Sequence, residues 1–279
     1  MDPLDRFAFS QSSLQDFVDC PHRFYLRYIR RIGWPAIQAE PARENECNIQ
    51  RGERFHRLVQ QYLVGVPEER LSLMAEADPD VHLRRWWENF LDCVPQQLAG
   101  KRHVEAILSA PALRFRLVAK YDLVLINNEG CAPIFDWKTS LHRPTRKWRA
   151  ARLQARVYPY LLVQAGADLN RGQPFAPEQV EMIYWFAGPQ QPPERIDYSR
   201  QRFIEDGEYL LDLLGCIDSM REDDFTMAAD DHACRYCVYR SLCGRGTAAG
   251  ELDGEAPEYD SEAPGSLDID LEQIGEISF

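Results

Sequence analysis

Asp122, Asp136 and Lys138 are the residues whose types and spacing best suit chemistry. Asp122 lies in the apolar run Tyr121-Asp-Leu-Val-Leu-Ile126, the turn signal Asn127-Asn-Glu-Gly130 follows, and the chain then reads Ile134-Phe-Asp136-Trp-Lys138-Thr-Ser140. Two strands joined by that hairpin bring Asp122 and Asp136 side by side, and Asp136 and Lys138, two apart, project from one face. Paired carboxylates hold a hard divalent ion through oxygen, which polarises a phosphate and activates water. A neighbouring lysine orients that water or offsets developing negative charge. Alone, an Asp-x-Lys also fits an ordinary solvated strand.

Other residues stand in a suggestive order around these three. Gly52-Glu-Arg-Phe-His56 falls in an upstream helical stretch, Glu105 sits in His103-Val-Glu-Ala, and Gln154-Ala-Arg-Val-Tyr158 falls in the helix after the lysine. Gln154 and Tyr158, four apart, share a helical face. In this order the residues resemble the PD-(D/E)XK nuclease superfamily, specifically its RecB-like exonuclease branch. The resemblance implies that Asp122, Asp136, His56 and the backbone carbonyl of Trp137 hold Mg²⁺ or Mn²⁺. It also implies that Lys138 acts on the water and that Gln154 and Tyr158 support the site or contact DNA. Glu105 resembles the acidic residue of the family's first core strand. One departure is that the family often has Gly shortly before the first strand Asp, whereas this chain reads Ala119-Lys-Tyr-Asp122.

The cysteines divide into two groups. Cys47, Cys93, Cys131 and Cys216 are scattered and are expected to pack as small buried side chains. Cys234, Cys237 and Cys243 give C-x2-C-x5-C, and Cys20, in Asp19-Cys-Pro-His-Arg-Phe24, is the best fourth ligand from more than 200 residues away. Clustered cysteines of this kind point to metal rather than to disulfides. The split pattern resembles the iron–sulfur nucleases of the same superfamily, among them helicase–nuclease repair subunits and the CRISPR-associated exonuclease. That resemblance implies a [4Fe–4S] cluster. Four thiolates also suit structural zinc, and His232 could stand in for Cys20. With Cys20 as the fourth ligand the clasp closes a loop of over 200 residues.

The elements that must position these residues can be read from periodicity. A helix opens at Ser12 with capping-box spacing to Gln15, and others cover about 44–64, 81–98, 147–164 and 198–220. Short strands are expected at Val104–Ser109, Ala112–Val118, Tyr121–Ile126, Pro133–Trp137 and Val180–Phe186. The pattern predicts a mixed α/β (α+β) fold with one central mixed sheet flanked by helices, and the resemblance implies a restriction-endonuclease-like core plus N-terminal helices and the cysteine clasp. The resemblance makes residues 1–249 the expected nuclease domain, and composition leads to the expectation of an acidic, disordered tail over 250–279.

Composition bounds the partners. The net charge of −12 is concentrated in the tail, where ten acids and no Lys or Arg follow residue 250, leaving 34 acidic against 32 basic residues elsewhere. The acidic total therefore does not exclude DNA, and it removes the usual electrostatic argument for it. Arg23, Arg27, Arg30 and Arg31, or Arg143, Arg146, Lys147, Arg149, Arg152 and Arg156, could hold a phosphate backbone or be solvated helix faces. Trp86-Trp87 reads as core or interface rather than as a base-stacking platform. The tail could dock a protein partner, such as a helicase or CRISPR component. No apolar run suits a membrane span and no signal peptide opens the chain, so a cytoplasmic protein is expected.

Overall fold

A computed structural model describes residues 4–5, 7–33, 42–139, 145–188, 192–229, 232–234 and 237–246, without the side chains of 42–46 and 232. Ser140, Arg143, the His232 side chain and the tail therefore lie outside the described residues. In chain order the elements are β1 (Ala8–Phe9), α1 (Gln11–Asp19) and α2 (Pro21–Phe24), which runs on into a π-helical turn (Tyr25–Ile29). Then come α3 (Ala42–Leu63), α4 (Glu68–Ala77), α5 (Val81–Cys93), β2 (Lys101–Ala112), β3 (Phe115–Ile126) and β4 (Ala132–Lys138). The chain continues through α6 (Arg146–Ala151), α7 (Gln154–Ala165), β5 (Val180–Phe186), β6 (Glu194–Asp197) and α8 (Arg200–Ser219).

The sheet is mixed and six-stranded. β3 is long enough to serve three neighbours: β2 antiparallel along its length, and on the other edge β1 parallel at Arg116–Leu117 and β4 antiparallel at Leu123–Val124. β4 then pairs β5 in parallel, and β5 pairs β6 antiparallel. A parallel pair needs a crossover connection, and α6 and α7 supply it between β4 and β5. Each face of the sheet carries its own core. Leu14, Val157, Leu161, Leu210 and Leu214 from α1, α7 and α8 cover Tyr121, Ile134, Met182 and Tyr184. Phe55, Val59, Leu71, Trp86, Trp87 and Phe90 from α3, α4 and α5 cover Leu123, Phe135, Ile183 and Trp185. Two helical layers around one sheet bury both faces.

One irregularity bears on function. The β2–β3 register runs from Lys101↔Ile126 to Ala112↔Phe115, with Glu105 and Asp122 alone missing from it. Glu105 has φ of +54°, which costs a non-glycine residue about 1–3 kcal/mol. Both strands change face at this point. Ala119 and Tyr121 face α7 but Leu123 faces α5, and Ala106 and Val104 differ in the same way. The two-residue alternation of a strand slips once, in both strands together, where Asp122 stands.

Several elements differ from the sequence expectation. The strands expected at 104–109, 112–118 and 121–126 are two longer ones, joined at Leu113-Arg114, because Pro111 and Lys120 interrupt the apolar pattern without interrupting the ladder. The α1 cap is Ser10, reciprocated by Ser13, rather than Ser12. The helix expected over 147–164 is two, since Arg152 is extended (ψ 148°). α4, β1 and β6 were not foreseen, the strands being only two and four residues long. Cys47, Cys93 and Cys216 are exposed and Cys131 half-buried, so the expected burial of this group fails. Cys47, Cys93 and Cys216 stand on exposed positions of α3, α5 and α8, and Cys131 lies in the turn between β3 and β4. Trp86 and Trp87 are core residues, 2% exposed. No helix among the described residues is long and apolar enough to cross a membrane.

Candidate active site

β3 and β4 pair only through Leu123↔Phe135 and Val124↔Ile134, then part. The next positions across from one another are Asp122 and Asp136, as the hairpin predicted. Instead of a ladder bond, the amide of Trp137 donates to the Asp122 carboxylate (Oδ2, 2.9 Å). β4 does not wander, because its other edge stays paired to β5 from Ala132↔Val180 to Lys138↔Phe186.

Asp136 and Lys138 share a face and are both buried, at 5% and 6% exposure. The Lys138 ammonium lies 3.0 Å from Asp136 Oδ2 and 5.7 Å from the centre of the Tyr184 ring. Gln154, buried at the first turn of α7, donates through Nε2 to Asp136 Oδ1 at 2.8 Å. A carboxylate taken this far out of water needs both a counter-charge and hydrogen bonds, and Lys138 and Gln154 supply them.

His56 arrives from the opposite face of the sheet. α3 crosses the end of β4 so closely that a Cβ on Gly52 would lie 2.7 Å from Thr139 Oγ1. Glycine permits the approach, and one turn later His56 Nδ1 stands 3.3 Å from Asp122 Oδ1. Burial pulls the His56 pKa down, yet the Asp122 and Asp136 charges outweigh it and hold the imidazole above its ordinary 6.5. Burial likewise raises Asp122, but His56, the Trp137 amide and Lys138 leave it below 3.8.

His56, Asp122, Asp136, Trp137, Lys138 and Gln154 are thus brought together. Two other expected residues are placed differently. Tyr158 is buried beneath the site, its ring 4.9 Å from that of Tyr121 and its carbonyl accepting the Tyr121 hydroxyl. The Glu105 carboxylate is held by Lys120 at 2.5 Å.

The arginines expected as solvated faces or phosphate clamps are largely engaged within the molecule. Arg23 and Arg27 pair with Asp16, Arg30 with Glu222, Arg152 with Asp19 and Arg156 with Asp206. Arg146 donates to the carbonyl of Arg195. Arg149, 2% exposed, pairs with buried Glu194 and lies over the Phe186 ring at 4.6 Å. Spacing along a helix shows which arginines are neighbours. It does not show that an acid from another element meets them.

The cysteines expected to form a clasp lie where the two ends of the described chain dock. Cys20 closes α1 and opens α2, and it is buried with Cys237, while Cys234 and Cys243 are half-buried. Burial first, then the neighbouring Cys237, Cys20 and Cys234, pushes the Cys243 thiol up to about 11. The ends are stitched by His22 N to Thr226 O (3.1 Å), His22 Nδ1 to Phe225 O (3.0 Å) and Tyr239 hydroxyl to Ile32 O (2.9 Å). Phe225 packs against Phe17, Phe24 and Tyr25.

Among the described residues, no three His, Cys, Asp or Glu side chains are gathered as a set that could hold a metal ion as they stand. The donor chemistry at each place still suits one. Asp122 and Asp136 with His56 are the oxygen-rich set a hard divalent cation takes, and four thiols are what an iron–sulfur cluster or structural zinc takes. Gly52, which sequence reasoning used only as a landmark, is explained by Thr139. Glu105 strain and the Arg149–Glu194 pair had no readable signal, because both depend on partners far along the chain.

The sequence model of a family described as the PD-(D/E)XK nuclease superfamily matches residues 8–244. No curated protein sequence matches the chain. Among solved structures the chain is similar to a candidate exonuclease from Eubacterium rectale, 9% identical over 84% of this chain and 88% of that one, with a TM-score of 0.51. It is also similar to SSO0001, 13% identical over 85% of each chain, at a TM-score of 0.38 that carries no argument. The first likeness shows the fold, a central mixed sheet flanked by helices.

Proposed function

Since the chain belongs to the PD-(D/E)XK nuclease superfamily, we propose that it is a metal-dependent deoxyribonuclease of the RecB-like, iron–sulfur branch. Its substrate in this reading is single-stranded DNA or DNA ends, cut as an exonuclease in repair, recombination or CRISPR adaptation. The observation that carries the reading is the meeting of Asp122, Asp136, Lys138, Gln154 and His56 where β3 and β4 part.

Asp122, Asp136, His56 and the Trp137 carbonyl would hold Mg²⁺ or Mn²⁺. When bound, such an ion would supply polarisation of the scissile phosphate and a lowered pKa for the attacking water. Lys138, fixed by Asp136 and Tyr184, directs its ammonium at the attacking water or the phosphoryl oxygens and offsets their growing charge. Gln154 fixes the Asp136 carboxylate, so that its other oxygen keeps one direction. Tyr158 buttresses Tyr121, the residue before Asp122. Glu105 stands across from Asp122 on the neighbouring strand and would add negative charge once released by Lys120.

Cys20, Cys234, Cys237 and Cys243 would hold a [4Fe–4S] cluster. Binding it would convert ligand affinity into folding stability by closing the two chain ends. Zinc is the rival occupant, and iron and zinc analysis of anaerobically purified protein separates the two. The acidic tail would serve a protein partner, a helicase or CRISPR component.

The test is digestion of end-labelled single-stranded DNA with Mn²⁺, wild type beside Asp136→Ala. Cleavage by the wild type alone is expected, and the product ladder gives its direction. No cleavage by an iron-loaded wild type would overturn the nuclease reading in favour of a non-catalytic iron–sulfur DNA-binding or assembly module.

A further inference from the structure

Gln154 reaches Asp136 only if the start of α7 is held in place, and although the Ala155 and Arg156 amides are taken up by the Arg152 and Leu153 carbonyls, the Leu153 amide takes its partner from another element. α6 ends at Arg152, whose extended backbone breaks the helical ladder, and the residue before Gln154 is Leu153, which has no side-chain cap to offer. The first amides of a helix need partners from outside it. Here the partner comes from α1: Gln15 Oε1 accepts the Leu153 amide at 3.1 Å, across 138 residues of sequence. Gln15 is itself buried, at 8% exposure.

The other end of the Gln15 amide is fixed as well. Its Nε2 donates to Asp19 Oδ1 at 2.8 Å, and the same carboxylate meets Arg152 at 3.5 Å, so both α7-side residues 152 and 153 are gripped from α1. Asp19 also pairs with Arg23 at 3.0 Å, and Arg23 donates to the carbonyl of Ala233, next to Cys234, at 3.4 Å. Cys20 directly follows Asp19. A continuous polar path therefore runs from the docked chain ends, through Arg23, Asp19 and Gln15, to the amide preceding Gln154.

We propose that Gln15 is a positioning residue for the carboxylate site, seating the start of α7 on α1 so that Gln154 holds Asp136, and so joining the cysteine end of the molecule to the reaction. This rests on the nuclease reading for its effect on rate, but the seat itself does not.

The experiment has two readouts on the full-length, iron-loaded protein. Gln15→Met keeps the shape and removes the acceptor. Hydrogen exchange at the Leu153 amide should quicken roughly fivefold to tenfold, the equivalent of one ordinary hydrogen bond. Gln15→Glu combined with Asp19→Asn keeps the acceptor for Leu153 and supplies an Asn amide to face the new carboxylate, and it should leave that amide protected to within about twofold of wild type. In Mn²⁺-dependent cleavage, Gln15→Met should lower kcat roughly tenfold with KM unchanged, and the Gln15→Met/Gln154→Ala double variant should be no slower than Gln154→Ala alone, because residues acting through one another are not additive. Effects that multiply in the double variant, or an unchanged Leu153 amide in Gln15→Met, would overturn the proposal. If Gln15→Met does not fold, Asp19→Ala, which removes the acceptor that fixes the Gln15 amide, must speed the same exchange. A wild type that does not cleave sinks the nuclease reading and leaves exchange to decide the seat.

Discussion

Asp136 and Lys138 belong to a strand paired with β5 along its whole length, whereas Cys20 comes near Cys237 and Cys243 only because the two ends of the described chain dock on one another. At the first place Asp122, Asp136, Lys138 and Gln154 are held by partners at 2.8–3.3 Å, from elements the sheet and its crossover already fix. At the second, a few long-range hydrogen bonds and the packing of Phe225 hold together segments that no regular element joins. The carboxylate site is a consequence of the fold. The cysteine site contributes to making it. Damage to one should therefore appear in rate, and damage to the other in stability.

The largest expected effect tests the first half of that contrast. Asp136→Asn keeps an acceptor for Gln154 and removes the charge. We expect Mn²⁺-dependent cleavage to fall by about 10²–10³-fold or more, with iron content unchanged and Tm within a few degrees of wild type. Loss of iron together with activity would show that the two regions are not independent. Cys20→Ser tests the other half. Losing a metal clasp removes several kcal/mol of folding energy, and at roughly 2–4 °C per kcal/mol for a chain of this size, Tm should drop by about 10 °C or more. A Cys20→Ser protein that keeps its iron and its Tm would remove the clasp from the account. Cys216→Ser, on an exposed helical position, serves as the silent control.

A smaller effect probes how the carboxylate site is reached from the second helical layer. Gly52→Ala places a methyl 2.7 Å from Thr139 Oγ1. Overpacking of this kind costs about 1–3 kcal/mol, and α3 should retreat, taking His56 from Asp122. Activity should fall more than stability does, and Thr139→Ala in the same chain should restore most of both. Failure of that rescue would mean Gly52 is needed for something other than the approach to Thr139.

The same contrast explains what could be read from the sequence. Asp122, Asp136 and Lys138 were legible because a hairpin and a two-residue period fix their relation within 17 residues. His56 and Gln154 were legible only by resemblance, since nothing local places α3 or α7 against β4. The helical stretches and the buried strand Val180–Phe186 followed from periodicity. Two-residue β1 and four-residue β6 are too short to show a period, and the true β2–β3 hairpin was hidden by Pro111 and Lys120 inside it. Gln15 and the internal pairing of the arginines were illegible for one reason. Apart from Arg23 and Arg27, which meet Asp16 nearby, each depends on a partner more than about 40 residues away, which side-chain chemistry permits and spacing cannot specify.

The smallest effect calibrates the others at an ion pair that includes none of the residues of either site. Asp80 caps α5, accepting from the His82 amide at 3.0 Å, and pairs with Arg51 of α3. Burial alone would raise its pKa, but Arg51 and the His82 amide outweigh it and hold the carboxyl below 3.8. A depressed carboxyl stabilises the folded chain above its unfolded pKa, and that stabilisation is lost as pH falls from about 4 through the folded value. Asp80→Asn keeps the cap and removes the charge. Its deficit should be about 1 kcal/mol near neutral pH, in the range of a single surface ion pair, and should shrink toward zero as pH falls through the folded Asp80 value and the wild-type carboxyl also becomes neutral. Denaturant titrations of both proteins across that range decide the matter. A deficit that persists at low pH would assign it to the cap rather than to charge. If the neutral-pH deficit matched that of Cys20→Ser, the cysteine ends would be worth no more than an ordinary ion pair, and the division of labour between the two regions would fall.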